Sequence, residues 1–382
     1  MLANFSIIGY SFQNNMPKLR KTKKVKDRFI YTGGVDRSGN EAKYTLDAVL
    51  NGWDKNHNGY TKKFEAAFAK YVGVKYARTL SGGTQALTMA LATLDIGPGD
   101  EVILPDITYF ACSDVIRLLG ATPVFVDTDR TWCIDPVSFE KAITRKTKAV
   151  MPVWMYGNAP EMDKIIRIAK KNNIPVVEDA CPAVGSFFKK KHAGSFGEFG
   201  CFSFHGAKIM TTGFGGMLVT NSKKLFEKMN WLADHGEDKA LPYRFFQTAI
   251  GYSFDLPNMN AAFGLAQLER IEKFVAKKRK IFNWYKKYLK PMEMNYEQPY
   301  ARANKWLTTI IVKNRQSVMK HLRSKGIDTR PFFFPISSFP MYKDAKTPNA
   351  HYAGFNGINL PSGVQRTEAE IKFIAGEVNK CV

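Results

Sequence analysis

The stretch FSFHGAKIMTTGFGGMLVTN, residues 202–221, runs an alternating apolar segment into a glycine cluster and leaves one lysine, Lys208, between them. With 56 Lys and Arg in 382 residues, a lysine here is by default one more solvated surface charge. The other reading is a buried amine that condenses with an aldehyde cofactor. The stretch alone does not choose, so the choice rests on what the flanking sequence builds around it.

Upstream, FEAAFAKYVGV (64–74) has helical apolar spacing with Gly73 as its stop. TQALTMALATL (84–94) reads as a helix, and the turn GPGD leads into the strand EVILP (101–105). The helix-like FACSDVIRLLG precedes the strand TPVFVD (122–127), and AVMPVWM (149–155) and IPVVEDA (174–180) are short apolar strands around the basic amphipathic helix EMDKIIRIAKKN. CFSFH and GGMLVTN, which flank Lys208, complete the series. Strands rich in Val and Ile that alternate with helices predict an α/β fold, with a mostly parallel central sheet covered by helices on both faces. Around residue 250 the pattern changes. Residues 260–289 read as one long helical stretch, followed by the strand WLTTIIV, the helix QSVMKHLRSKG and the aromatic–proline loop TRPFFFPISSFPMY. The expected organisation is an N-terminal arm (1–40), a large α/β domain (41–248) and a smaller C-terminal α+β domain (249–382) joined through that helix.

Composition, 45% apolar and 24% charged, is that of a soluble globular enzyme, and no apolar run has the length of a membrane span. The start, MLANFSIIGYSFQNN, has an apolar patch without a preceding basic segment and reads as an extension rather than a signal peptide. Five scattered cysteines, Cys112, Cys133, Cys181, Cys201 and Cys381, form no C-x-x-C pair, which argues against a disulfide framework or a zinc site and for a reducing cytoplasm. The formal charge of +22 favours anionic ligands at long range. Its one dense run, KLRKTKKVKDR (18–28), reads as a solvated lysine-rich leader or, alternatively, an RNA-binding arm.

In an open α/β sheet, ligands gather beyond the C-terminal strand ends and at helix N-termini. LSGGTQAL places Gly82, Gly83 and Thr84 at the head of a helix, as a phosphate cradle or a plain N-cap. Asp179 ends the strand IPVVEDA, as a carboxylate aimed into the crevice or a capping residue. Ser203 lies five residues before Lys208, and Tyr109 in DITYFACS offers either a stacking ring or a packed core aromatic. Together these groups match one ligand, pyridoxal 5′-phosphate (PLP), which has a phosphate, a ring nitrogen to pair with a carboxylate, a stackable ring and an aldehyde. On that reading Lys208 is the nucleophile and then the base that moves the proton. The glycines after it let the backbone pass close to the cofactor.

The stretches GDEVILPDITYFACSDVIRLLGATPVFVD, VEDACPAVGSFFKKKHAGSFGEFGCFSFHGAKIMTTG and AAFGLAQLERIEKF resemble the DegT/DnrJ/EryC1/StrS sugar aminotransferases, over about residues 40–380. The resemblance implies the aspartate-aminotransferase fold, with Lys208 as the PLP lysine, Asp179 as the ring-nitrogen partner and Tyr109 as the stacking ring. It implies Gly83, Thr84 and Ser203 around the phosphate, and a homodimer in which Ser253 reaches the neighbouring subunit's phosphate. The C-terminal TRPFFFPISSFPMY and GINLPSG look like the subgroup that makes GDP-perosamine. That implies a nucleotide-linked 4-keto-6-deoxyhexose as acceptor and L-glutamate as amino donor. Relatives that dehydrate the sugar carry histidine in place of the lysine. Here Lys208 is kept, with His205 three residues earlier. Arg330 heads the aromatic loop, to pair with a diphosphate, a donor carboxylate or a surface acid. Three departures stand out: Phe214 replaces a carboxylate at the substrate side, Pro182 replaces a glutamine near the ring hydroxyl, and GYSFDLP puts Ser253 and Asp255 where the family has asparagine and arginine. Phe214 and Asp255 motivate a different outcome on the same scaffold, sugar dehydration or an amino-acid-directed reaction, and amino transfer at C3 stands as a further alternative. The charge motivates a third, a non-catalytic relative that binds nucleic acid or another polyanion.

Overall fold

A computed structural model of the chain describes residues 29–343 and 345–382. The apolar start and the basic 18–28 run lie outside the described residues. Helix α1 (Glu41–Asn51) leads to α2 (Gly59–Val72), which buries Phe64, Phe68, Ala69 and Val72. It stops at Gly73, whose φ of 80° is the left-handed conformation that glycine accepts without a Cβ clash. Strands and helices then alternate: β1 (Tyr76–Leu80), α3 (Gly83–Thr93), β2 (Glu101–Pro105), α4 (Ala111–Leu118), β3 (Thr122–Val126), α5 (Pro136–Lys141), β4 (Thr147–Val150), α6 (Met162–Lys171) and β5 (Val177–Asp179). A small hairpin, β6 (Phe187–Phe188) and β7 (Lys191–His192), precedes β8 (Phe199–Ser203), β9 (Gly216–Thr220) and α7 (Lys223–Ala233).

Strands β3, β2 and β4 pair in parallel, as do β5 and β8. Parallel bridges from Val150 to Val176 and from Val153 to Asp179 join the two groups. The sheet order is therefore β1-β9-β8-β5-β4-β2-β3. Among the described strands of this sheet only β9 is reversed, because it returns from β8 through the Lys208 loop without a crossover helix. Strands β8 and β9 are buried at every residue, as expected for a sheet covered on both faces.

The second half holds α8 (Asn258–Leu268), α9 (Ile271–Tyr288), β10 (Ala301–Arg302, paired with β6), β11 (Thr308–Ile311), α10 (Arg315–Ser324), β12 (Arg330–Pro331), α11 (Pro348–Asn356), β13 (Gly357–Leu360) and α12 (Glu368–Asn379). β11, β13 and β12 form a separate antiparallel sheet. The stretch expected as one helix over 260–289 is broken at Glu269–Arg270. The cause is tertiary: Arg270 leaves the helical path to bind Asp36 at 2.9 Å and Glu41 at 3.3 Å.

Among the described residues two hydrophobic cores result, and α9 serves both. Phe274 and Val275 pack into the core around the main sheet, while Ile281 and Tyr285 pack into that of β11, β13, α10 and α12. Ile30, from the segment expected as an arm, belongs to the second core and pairs with Ile327. Asp106, just after β2 and fully buried, links the halves by accepting from the Ser337 amide, the Ser337 hydroxyl and the Thr347 hydroxyl.

Candidate active site

A cavity of about 510 Å³ opens where β1, β2, β4, β5 and β8 end. It brings together Gly83, Thr84, Tyr109, Asp179, Ser203, His205, Lys208 and Phe214, residues spread over more than a third of the sequence. Ser253 and Arg330 are not in it. Ser253 is exposed on the segment before α8, and Arg330 lines a neighbouring cavity.

The head of α3 is a bare backbone cradle. Its N-cap, Gly82, is extended and provides no side-chain cap, so the first-turn N–H groups face the cavity with the positive end of the helix dipole. Gly83 must be glycine, since a Cβ there would sit 2.8 Å from both the Cys181 sulfur and the Ser203 Cβ. Gly216, at the start of β9, passes so close to Gly82 that a Cβ would lie 2.3 Å from its carbonyl oxygen. Two glycine-bearing segments thus leave room for an anion where side chains would fill it.

Asp179 ends β5 with its main chain pinned to Pro152 and Trp154. Its buried carboxylate accepts the Cys112 thiol at 3.0 Å and the Cys181 amide at 3.0 Å. Burial, reinforced by the Asp179 charge, pushes both thiols well above their ordinary range, so they remain protonated donors. Both donors are neutral, and a protonated ring nitrogen is the partner that would balance such a carboxylate.

Lys208 follows β8, and its Nζ stands 4.1 Å from the centre of the Trp306 ring. The residue keeps some exposure, yet burial at the amine lowers its pKa against the opposing pull of Cys181, Asp179 and Cys112. That shift favours the free amine, the nucleophilic form. His205 is made less basic by burial and by the Lys208 charge, and its ring meets Phe214 edge-on at 4.8 Å. Phe214 is 69% exposed at the cavity mouth. The Tyr109 ring, half exposed, is 4.1 Å from that of Phe110 and 5.7 Å from that of Phe333.

A second cavity of about 670 Å³ shares Thr108, Ala207, Trp306 and Phe333 with the first. Tyr31, Phe110, Phe332 and Phe334 line it, and Arg330 stands at it with a 3.4 Å contact to Asp328. Of the departures, Pro182 uses its carbonyl to hold Asn304 at 2.9 Å, and Asp255 pairs with Arg78 at 2.8 Å. Sequence reasoning missed Cys112, Cys181 and Trp306. Cys112 carried a signal, one helical turn after Tyr109. Trp306 carried none, because it reaches the site across 99 positions of chain to the Ala207 carbonyl.

A lysine and an acid sharing one cavity beneath a bare helix head, at the strand ends of an α/β sheet, define a PLP-dependent transferase. The chain belongs to the DegT/DnrJ/EryC1/StrS aminotransferase family, whose model matches residues 36–379. It is 39% identical to a GDP-perosamine synthase of Escherichia coli O157:H7 over 350 residues, 90% of this chain and 96% of that protein. It is also 39% identical to a GDP-perosamine synthase of Caulobacter vibrioides, over 90% of this chain and 95% of that one. Among solved structures, DesV of S. venezuelae superposes with a TM-score of 0.83 at 27% identity, covering 89% of this chain and 94% of that one. DesI, solved with its TDP-sugar product, superposes with a TM-score of 0.85 at 25% identity, covering 93% of each. The enzyme is an aminotransferase with PLP as cofactor. The cavity fits that group: an anion cradle at α3, a buried acid at β5 and an amine of lowered basicity at Lys208.

Proposed function

We propose that the enzyme moves an amino group from L-glutamate to C4 of a nucleotide-linked 4-keto-6-deoxyhexose, giving a 4-amino-4,6-dideoxy sugar of the perosamine type. What carries this is a set of three relatives named GDP-perosamine synthase, at 39%, 39% and 35% identity, each matched over 90% of this chain. A lysine at position 208 agrees with amino transfer rather than dehydration.

PLP, when bound, supplies an aldehyde to receive the amino group and a ring that accepts the electron pair left by a departing Cα proton. Gly83, Thr84 and Ser203 would hold its phosphate, Asp179 its ring nitrogen and Tyr109 one face of its ring. Lys208 takes a proton from Cα of the donor and later gives one to the sugar carbon that becomes C–N bonded. Its lowered basicity favours the free amine, the form that can take a proton. The aromatic second cavity takes the sugar and its nucleotide, with Arg330 turning from Asp328 to the diphosphate. His205 and Phe214 border the mouth through which the donor enters. The working unit is a homodimer in the reducing cytoplasm, in which Ser253 of one copy completes the phosphate site of the other.

The test is incubation of the PLP-loaded enzyme with L-glutamate and a GDP-linked 4-keto-6-deoxyhexose, with UDP- and dTDP-linked forms in parallel, read by mass spectrometry and NMR. A nitrogen at C4 is the expected result. Nitrogen at C3 or loss of water would replace this reading with one of the alternatives on the same scaffold. Lys208→Ala should abolish turnover, and surviving turnover would mean that another residue is the nucleophile.

A further inference from the structure

The buried stripe of α9 runs Ile271, Phe274, Val275, Lys278, Ile281, Phe282, Tyr285, so a lysine occupies a core position on an otherwise apolar face. Lys278 is 4% exposed, and its Nζ donates to one acceptor, the carbonyl oxygen of Trp306, at 2.9 Å. Burial brings its pKa down to about 7. A leucine or methionine would fill the stripe without burying a cation, so the amine needs a reason to be there.

That reason lies on the far side of Trp306. Its indole Nε1 donates to the Ala207 carbonyl at 2.7 Å, and the ring lies 4.1 Å from the Nζ of Lys208. Its main-chain N–H donates to the Asn304 side chain at 2.8 Å, and the Asn304 amide in turn reaches the carbonyls of Pro182 and Val184, both at 2.9 Å. Three residues, 304–306, therefore touch both the loop that follows Asp179 and the loop that presents Lys208. Between them Lys305 has φ 55°, the left-handed region that L side chains rarely adopt. Such a turn persists only where its surroundings hold it. Glu297 holds it through the Lys305 amine at 3.3 Å, and Lys278 holds it through the Trp306 carbonyl.

We propose that Lys278 is a positioning residue for amino transfer: by fixing the Trp306 carbonyl it sets the indole against Lys208 and, through Asn304, holds the amine and the Asp179 acid at their working separation. The inference rests on the reading of Lys208 as the nucleophile, and the two can fail separately.

The test compares full-length wild type, Lys278→Met (similar length, no donor) and Lys278→Arg (donor kept). Two readouts are used that do not depend on turnover: the PLP dissociation constant from absorbance titration, and the pH midpoint at which the visible band of the bound cofactor changes. The expected result is weaker PLP binding in K278M, by on the order of tenfold, and a shifted midpoint, with K278R close to wild type. Wild-type affinity and midpoint in a folded K278M would overturn the proposal, as would equal losses in both variants. Should K278M not fold, K278R decides alone: near wild-type values support the proposal, and a tenfold loss overturns it. Lys208→Ala tests the underlying reading independently, since it leaves Lys278, Trp306 and Asn304 in place.

Discussion

Lys278 and Lys208 are both made less basic by burial, but with different company. Lys208 has Asp179 and two thiols beside it, whereas Lys278 has one carbonyl. The difference predicts a pH effect on stability. The folded-state pKa of Lys278 is about 7 and its ordinary value is 10.5, so folding expels a proton between those limits. The unfolded chain binds more protons there, so stability rises with pH from 7 to 10.5, and below 7 the full penalty of the buried cation applies. At roughly 1.4 kcal/mol per unit, this amounts to several kcal/mol. Urea unfolding of wild type and Lys278→Met at pH 6.5 and 9.5 should show the variant more stable at the lower pH, with the gap closing at the higher. An equal gap at both would mean that Lys278 does not ionise as described. The lysine was invisible to sequence reading as a site residue because it lies inside a basic helix, where KKRK (277–280) looks like a solvated face. Asp179, Ser203, Tyr109 and Lys208 were legible because each ends a strand or lies in the loop that follows one, and strand ends of a parallel sheet converge.

At the scale of elements, the strand–loop–helix unit β1-α3 makes its own prediction. Gly83→Ala places a Cβ against the Cys181 sulfur and the Ser203 Cβ, and Ser203 is fixed at the end of β8 by pairing with Gly216 of β9. The expected outcome is a cost of about 1–3 kcal/mol in thermal unfolding, together with weaker PLP binding by titration. A variant with wild-type affinity would show that the α3 head is not the phosphate cradle. Period and propensity located most elements, including the α2 stop at Gly73. They did not reveal the break between α8 and α9, because it is imposed by ion pairs from Arg270 to Asp36 and Glu41, more than 200 positions away. Nor did they reveal that β9 is reversed, since an apolar strand buried on both faces reads alike in either direction.

For the molecule as a whole, two groups of exposed apolar side chains stand out among the described residues: Leu46, Val49, Leu50 and Trp53 on and after α1, and Tyr243, Phe245, Phe246 and Ile250 before α8. Ile250 is 92% and Phe245 82% exposed, more than a solitary chain would present to water without reason. Ser253 lies three residues beyond the second patch, which supports its assignment to the other copy's site. Light scattering should give twice the chain mass. Phe245→Asp with Ile250→Asp should halve it and abolish amino transfer, while each chain keeps its secondary structure by circular dichroism. A fully active monomer would remove the shared-site reading. The charge pattern of the first residues says nothing of this surface, because apolar side chains on a loop carry no periodicity to betray them.

Asp106 adds a last consequence. It is a buried anchor between the halves, and prising them apart would break its bonds to the Ser337 amide, the Ser337 hydroxyl and the Thr347 hydroxyl at once. Relative movement of the two halves at this point would have to break all three bonds together, so it is disfavoured where Asp106 sits.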